Sequence, residues 1–285
     1  MKKLVFILCL ALIVGLLPGC ASAPQAQIAA TTLPVYEFTT RLCEGTGITV
    51  TRLVTEEVSC LHDYTLKTTQ MQAIEAARLV VISGGGLEDF MADIVPADKT
   101  VDASEGLELH CGHEHEGHNH EHDPHIWLSP LHAKEMVSNI SAGLQSRFPA
   151  YASTFCTNEQ ILHRELDALY RFGVEQLAGL SQRQLITFHD GFHYFAECFD
   201  LEILHAVEEE AGSEASAQEL IKLIGLVQEN DLPAIFTERS GSTSAAKIVA
   251  RECDIKIYTL DMAMSGSSYY DAMHANIKAV KEALG

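Results

Sequence analysis

The sequence predicts an α/β protein of two βα lobes, whose parallel sheets are joined by one long rigid helix. Short β-branched runs alternate along the chain with amphipathic segments, an order typical of parallel sheets. The alternation stops between about residues 130 and 180, where two helical patterns follow one another. The second places Leu162, Leu166, Leu169 and Leu177 near one helical face. Two βα sets separated by a long helix indicate two lobes on a connector.

The individual elements follow from these patterns. Seven runs are predicted as strands: IAATTL (28–33), ITVTRLV (48–54), ARLVVIS (77–83), QLITF (184–188), LEILHAV (201–207), PAIFTE (233–238) and IKIYTL (255–260). The helical patterns between them are VYEFTTRLC, KTTQMQAIEAA, YFAEC, SAQELIKLIGLVQEN and SAAKIVAREC. Ser129 before Pro130 is a favourable N-cap, and it predicts a helix through SPLHAKEMVSNISAGLQSRF.

The N-terminal residues predict export from the cytoplasm. Lys2 and Lys3 precede the apolar run LVFILCLALIVGLL, which is short for a membrane span and ends in LPGC. Residues 1–19 are therefore predicted to be a signal peptide. Cys20 lies where a bacterial lipobox carries its lipid, which predicts an extracytoplasmic protein anchored to the cell membrane; ordinary secretion is the alternative.

The remaining chain divides into three predicted parts after a lipidated tether at 20–27. An N-terminal lobe spans 28–148, a connecting helix spans 149–180, and a C-terminal lobe spans 181–285. The formal charge of −20 becomes −22 without Lys2 and Lys3, which argues against a nucleic-acid partner and is compatible with a cation ligand. Six cysteines remain after the tether, and the sequence does not assign their pairing: Cys43, Cys60, Cys111, Cys156, Cys198 and Cys253.

Four side chains are predicted to meet between the lobes. His189 follows the strand QLITF and Asp261 follows IKIYTL, so both belong to the carboxyl edge of a parallel sheet, where ligands bind. His62 lies in SCLHDY after the second strand, and His125 lies in DPHIW just before a helix. Three imidazoles and one carboxylate suit Zn(II). With all four bound no position remains for water, so the set favours carrying a metal over catalysis, and we expect no enzyme.

A histidine-rich tract precedes His125. The stretch HCGHEHEGHNHEHDPHIW holds seven of the chain's fourteen histidines. Six of them alternate with acidic residues, asparagine and glycine, a composition that cannot bury itself: His110, His113, His115, His118, His120 and His122. We expect either an auxiliary loop at 110–122 that captures zinc weakly, or a solvated loop with incidental affinity.

Several motifs resemble the substrate-binding lipoproteins of zinc and manganese ABC transporters. They are LHDY, ARLVVISGGGLEDF, DPHIWLSP, FHDGFHYFAECFDL and SSYYDAMHANIKAVKEAL, and the resemblance covers the whole mature chain. It implies a metal in the cleft between the lobes, which the protein delivers to a membrane permease with its ATPase. We expect the protein to be a monomer. The ligands carried over by matching motif are His62, His125, His189 and Asp261. Manganese-type members commonly have glutamate where this chain has His189, which favours Zn(II) over Mn(II).

Some residues depart from that pattern or allow a second interpretation. Leu61 stands where the family usually has proline. His189 and His193 are four apart, as in the H-E-x-x-H of zinc proteases, but Asp190 and Gly191 replace its helical middle. We therefore expect Asp190 to cap the start of a helix and His193 to be a packing residue or a neighbour of a ligand.

The supporting residues also have two interpretations. Glu238 at a strand end is predicted either to orient a ligating imidazole or to form a surface salt bridge, and Trp127 is predicted to pack beneath His125. Gly84, Gly85 and Gly86 lack a phosphate-loop motif and predict a tight turn. A surface metallo-adhesin or zinc store is the alternative function.

Overall fold

The chain forms two four-stranded parallel sheets with helices on their faces. The computed structural model describes residues 27–58, 61, 64–110, 122–207 and 215–285. Both sheets have the same order, in which the second strand along the chain lies at one edge and is followed by the first, the third and the fourth. The predicted α/β fold class is confirmed.

The first sheet and its helices use the N-terminal part of the chain. In order, the elements are β1 (Ile28–Ala30), α1 (Leu33–Leu42), β2 (Val50–Arg52), α2 (Thr68–Ala76), β3 (Leu79–Ile82) and β4 (Thr100–Asp102). Single 3-10 turns lie at Asp89–Met91, Ala97–Lys99 and Ile126–Leu128.

Two consecutive helices separate the sheets, and the second sheet follows them. They are α3 (Pro130–Arg147) and α4 (Ala152–Leu177), with a 3-10 turn at Pro149–Tyr151 between them. The second set is β5 (Gln184–Phe188), α5 (His193–Cys198), β6 (Glu202–Ala206), α6 (Ala217–Glu229), β7 (Ala234–Glu238), α7 (Ser244–Cys253), β8 (Lys256–Leu260) and α8 (Tyr269–Leu284).

The largest hydrophobic core is shared by both sheets. Successive strand residues face opposite sides, so Ile28 and Ala30 enter this core while Ala29 packs with Ile74 of α2 on the other face. The same core continues through α3 and α4 to Leu284 in α8. The second sheet has its own outer cluster, which it forms with α6 and α7. One continuous core therefore connects the lobes.

Helix α4 is fixed to helices of both lobes. Arg41 of α1 donates to both carboxylate oxygens of Glu165 at 2.8 and 2.9 Å. Lys281 of α8 donates to the side chain of Gln176 at 2.8 Å. Glu165 lies near the middle of this 26-residue helix and Gln176 near its C-terminal end, so α4 is held to one helix of each lobe, as a rigid connector requires.

The structure also differs from the sequence prediction in places. β4 was not predicted, because Thr100–Asp102 has a single apolar residue, Val101, between two polar ones. Ser129 caps α3 as predicted, accepting a hydrogen bond from the His132 amide at 3.4 Å. Gly84, Gly85 and Gly86 all have positive φ, which confirms the tight turn.

The described part of the chain begins at residue 27. The signal peptide, the tether and Cys20 lie outside the described residues. None of the helices in the described ranges combines the length and the apolar character that a membrane span requires. Four thiols are free, at Cys43, Cys156, Cys198 and Cys253. Cys60 and Cys111 lie outside the described residues, and the domain boundaries remain a prediction.

Candidate metal centre

Two of the four predicted ligands, His125 and His189, lie side by side. Their ring centroids are 5.4 Å apart and the rings are inclined by 83°. His189 directly follows β5, and His125 directly precedes the turn Ile126–Leu128. The two imidazoles come from parts of the chain before and after α4, as the sequence predicted.

Asp123 holds the His125 ring in place. Its Oδ1 accepts hydrogen bonds from the His125 amide at 2.9 Å and from Nδ1 at 2.8 Å. Burial would raise the pKa of Asp123, but the hydrogen bonds and charge of His125 outweigh it and keep this pKa below its ordinary value. Within the described residues, the buried Nε2 of His125 has no hydrogen-bond partner. A carboxylate on Nδ1 directs the other nitrogen toward a metal.

Glu238 takes the corresponding place beside His189. Its Oε2 lies 3.3 Å from His189 Nδ1, and its side chain is almost fully buried. Burial raises the pKa of Glu238 to about 7; the charge of His125 lowers it and that of Asp261 raises it. Glu238 therefore contacts an imidazole, which favours the first of its two predicted roles over a surface salt bridge. It also lies close enough to His125 and Asp261 for their charges to shift its pKa.

Asp261 lies at the carboxyl end of β8 and is held by its backbone and its side chain. Asn276 of α8 accepts from the Asp261 amide at 2.8 Å and donates to its carbonyl at 2.7 Å. Asp261 Oδ1 accepts from the Ala263 amide at 2.8 Å, and Oδ2 pairs with Arg239 Nε at 3.2 Å. The carboxylate is thus firmly placed at the edge of the second sheet.

The segment after Asp261 joins the two lobes beneath the histidines. The Trp127 indole donates to the Met262 carbonyl at 2.7 Å, and the Tyr269 hydroxyl donates to the Trp127 carbonyl at 2.7 Å. The Trp127 ring meets that of His125 edge-on at 5.5 Å. Trp127 is fully buried, which confirms that it packs under His125.

Gly191 leaves no room for a side chain between the two imidazoles. A Cβ there would lie 2.9 Å from His125 Nδ1, 2.8 Å from His189 Cδ2 and 2.6 Å from the Met262 methyl. Distances under 3.0 Å require a neighbour to move. Glycine is therefore needed at this position for the rings to approach as they do.

The four predicted ligands are not all brought together. His62 lies outside the described residues. Among the residues that are described, no group of three histidine, cysteine, aspartate or glutamate side chains is arranged to hold a metal ion. The structure thus pairs His125 with His189 and places Asp261 in an ion pair with Arg239. The adjacent imidazoles of His125 and His189 supply nitrogen donors, and the His125 Nε2 is buried. Nitrogen donors of this kind fit a metal such as zinc.

Comparison with known proteins identifies the family. Residues 28–283 match the family described as "ZnuA: Zinc-uptake complex component A periplasmic". The chain belongs to this family. Its members are substrate-binding transport proteins and not enzymes, as the sequence predicted.

The relatives span a range of lengths. A protein of Treponema pallidum, named for metal binding, is 27% identical over 99% of this chain and 97% of its own length. The zinc-binding lipoprotein AdcA of Streptococcus pneumoniae serotype 4 is 28% identical over 99% of this chain, which spans 61% of the length of AdcA.

Solved structures share the fold. A crystal structure of ZnuA has a TM-score of 0.79 and 26% identity, covering 91% of this chain and 100% of that chain. A manganese-bound periplasmic metal-binding protein of candidatus liberibacter asiaticus, at 20% identity and a TM-score of 0.78, covers 91% of this chain and 100% of that chain and shows the fold alone.

The HDGFH stretch does not form the helical pair of a zinc protease. Helix α5 begins at His193, so His189 lies before the helix. The prediction that Asp190 caps this helix is wrong, because Phe192 holds the N-cap position and no side chain caps it. Asp190 instead accepts from His193 Nε2 at 2.6 Å, and this hydrogen bond raises the pKa of His193. His193 is held as a neighbour of the ligand loop.

Only the two ends of the histidine-rich tract are described, at His110 and His122. The His110 carbonyl accepts from the Asp123 amide at 3.0 Å, which brings the ends of the tract together. His110 Nε2 pairs with Glu197 Oε2 at 2.8 Å. His113, His115, His118 and His120 lie outside the described residues.

The remaining histidines have packing or surface contacts. His132 meets the Tyr194 ring edge-on at 5.2 Å, and His274 meets that of Phe172 at 4.6 Å. His205 Nε2 lies 2.6 Å from Glu219 Oε1, and His163 Nε2 shares a hydrogen bond with the Ser138 hydroxyl at 3.2 Å.

Sequence reasoning missed three residues of the site: Asp123, Gly191 and Arg239. Asp123 could have been found, because it stands two residues before a predicted ligand and can hydrogen-bond back onto its own turn. In the sequence, Gly191 indicates only that a helix is weakened there, and not that two rings approach it. Nothing in the sequence indicates the role of Arg239, since its pairing with Asp261 depends on the register of two strands.

Proposed function

We propose that this chain is the extracytoplasmic substrate-binding component of a zinc ABC transporter. It captures Zn(II) between its lobes through His62, His125, His189 and Asp261. The observation that carries the proposal is the pair His125 and His189, with a carboxylate at the Nδ1 of each ring. Histidine ligands of metals are almost always oriented in this way.

The choice of zinc rests on the donor types. Three imidazoles and one carboxylate suit Zn(II), whereas Mn(II) prefers oxygen ligands. His189 supplies nitrogen at the position where a carboxylate would favour manganese. The pneumococcal relative AdcA is named a zinc-binding lipoprotein, which supports the same choice. A manganese-specific protein of the same kind is the alternative that a competition titration tests.

Transport requires partners outside this chain. The protein is tethered to the membrane through lipid on Cys20, acts as a monomer, and hands the metal to a permease driven by its ATPase. Labelling of expressing cells with a fatty-acid analogue should mark the protein, and Cys20→Ala should abolish the label. A protein that takes up no label would refute the lipid anchor.

The tract between His110 and His122 serves as a weak auxiliary site beside the tight one. Because the Asp123 amide bonds the His110 carbonyl, residues 111–121 can be replaced by a short glycine-serine turn with little strain. This variant should lose weak, multiple zinc binding and keep one tight site. Loss of the tight site would refute the division into two kinds of site.

The direct test is a competitive titration of the mature protein with Zn(II) and Mn(II). One tight zinc per chain should be bound, it should survive replacement of 111–121, and it should be lost in His189→Ala. His274→Ala is the matched control, since His274 contacts Phe172 away from the pair and should leave affinity unchanged. Weak multiple binding that vanishes with the tract would favour a zinc store.

A further inference from the structure

The side chain of Arg239 forms an ion pair with Asp261, the carboxylate of the proposed site. Arg239 directly follows β7, and its amide donates to the Leu260 carbonyl at 3.0 Å, which extends the pairing of β7 with β8. This register places Arg239 beside Asp261, one residue beyond the pair Glu238 and Leu260. The guanidinium Nε then lies 3.2 Å from Asp261 Oδ2.

Both carboxylate oxygens of Asp261 are already engaged. Oδ1 accepts from the Ala263 amide, and Oδ2 carries the contact with Arg239. The two side chains differ in solvent exposure: that of Arg239 is 57% exposed, whereas that of Asp261 is 14% exposed. The arginine can therefore leave toward solvent without disturbing the core, while the aspartate stays fixed by Asn276.

We propose that Arg239 competes with the divalent cation for Asp261, so that it weakens binding and speeds release of the metal. This inference rests on the proposed function, because it concerns the same site. An arginine remains charged at every physiological pH, so it acts as a permanent internal counter-ion. Before the metal arrives it neutralises Asp261 beside the buried Glu238; once the metal binds, the guanidinium and the cation share one carboxylate and repel each other.

The size of the effect follows from Coulomb's law. A divalent ion and a guanidinium on the order of 6 Å apart, in a water-like dielectric, repel enough to change affinity about tenfold. Ionic screening reduces this at high salt. A transport protein must bind its metal and also release it, and a moderate repulsion from Arg239 favours release.

The test compares three variants with the wild type. Arg239→Gln removes the charge, and Arg239→Lys keeps it. Arg251→Gln is the matched control, because it makes the same change of net charge in an exposed ion pair with Glu252 on α7. Zinc affinity is measured by competition with a chelator, the dissociation rate by stopped flow, and folding by thermal unfolding without metal.

We expect Arg239→Gln to bind zinc about tenfold more tightly and to release it more slowly, with the gain shrinking at high salt. Arg239→Lys and Arg251→Gln should stay near the wild type. Unchanged or weaker binding in Arg239→Gln, while the wild type binds one tight zinc, would overturn the competition and leave the proposed function intact. Absence of a tight zinc in the wild type would overturn the proposed function itself.

Discussion

Replacement of Gly191 by alanine tests how closely the two imidazoles must approach. The new Cβ would lie 2.6 to 2.9 Å from the Met262 methyl, His189 Cδ2 and His125 Nδ1. Carbon contacts are optimal at about 3.5 to 4.0 Å, so at least one neighbour must move by several tenths of an ångström. The Met262 methyl can swing away, but the two rings are held by Asp123 and Glu238.

The expected loss follows from the tolerance of metal bonds. Ligand distances in such sites are held to within about 0.2 Å, which is less than the movement that the new methyl group requires. Disturbed orientation of ligating histidines typically costs 10- to 100-fold in metal affinity. Gly191→Ala should therefore weaken zinc binding by about 1.4 to 2.8 kcal/mol.

The assay is a chelator competition, with thermal unfolding of the metal-free protein beside it. Gly225→Ala is the matched control: Gly225 lies within α6, and a Cβ there meets nothing within 4 Å. It should leave zinc affinity unchanged and stabilise the helix by about 1 kcal/mol. Wild-type affinity in Gly191→Ala would refute the close approach of the rings.

Three further predictions concern the surroundings of the site. Asp123→Asn should weaken zinc binding about 10- to 100-fold, because the charge that orients His125 is lost; equal affinity in the same competition would contradict this. Tyr269→Phe leaves the buried Trp127 carbonyl without its donor and should lower the free energy of unfolding by about 1 to 3 kcal/mol in a denaturant titration; no change would mean that the bond is replaced. Burial raises the pKa of Glu88 to about 7, so the folded state holds an extra proton between the ordinary carboxyl pKa and that value. The free energy of unfolding should therefore fall as pH rises from about 4.5 to about 7 and level off above it, and Glu88→Gln should flatten this slope; an unaltered slope would assign it to other groups.

Most strands and helices could be predicted because short β-branched runs alternate with amphipathic segments along the chain. QLITF and β5 coincide, as do SAAKIVAREC and α7. β4 could not be predicted, since Thr100–Asp102 offers only Val101 as an apolar residue and therefore no β-branched apolar run. The shared core was also invisible in the sequence, because it depends on how α4 packs against helices from both lobes.

The candidate site could be predicted as far as it depends on strand ends. His189 and Asp261 lie at the carboxyl edge because each directly follows a strand of the parallel sheet. The meeting of His125 and His189 was expected from the two-lobe arrangement, but the close approach of their rings could not be predicted, since no local pattern connects two loops 64 residues apart in sequence. Arg239 meets Asp261 only through the register of β7 with β8, which periodicity does not reveal. Asp190 was assigned to a helix cap on its residue type, but Gly191 and Phe192 separate it from the start of α5, and Phe192 takes the N-cap position.

The most direct test of the proposed ligand set is X-ray absorption at the zinc edge. The protein would have residues 111–121 replaced by a short turn and would carry one equivalent of zinc. Four nitrogen and oxygen neighbours at about 2.0 to 2.2 Å, with imidazole scattering that decreases in His189→Ala, are the predicted result. A sulfur neighbour at about 2.3 Å, or a spectrum unaffected by His189→Ala, would contradict a site built from three histidines and Asp261.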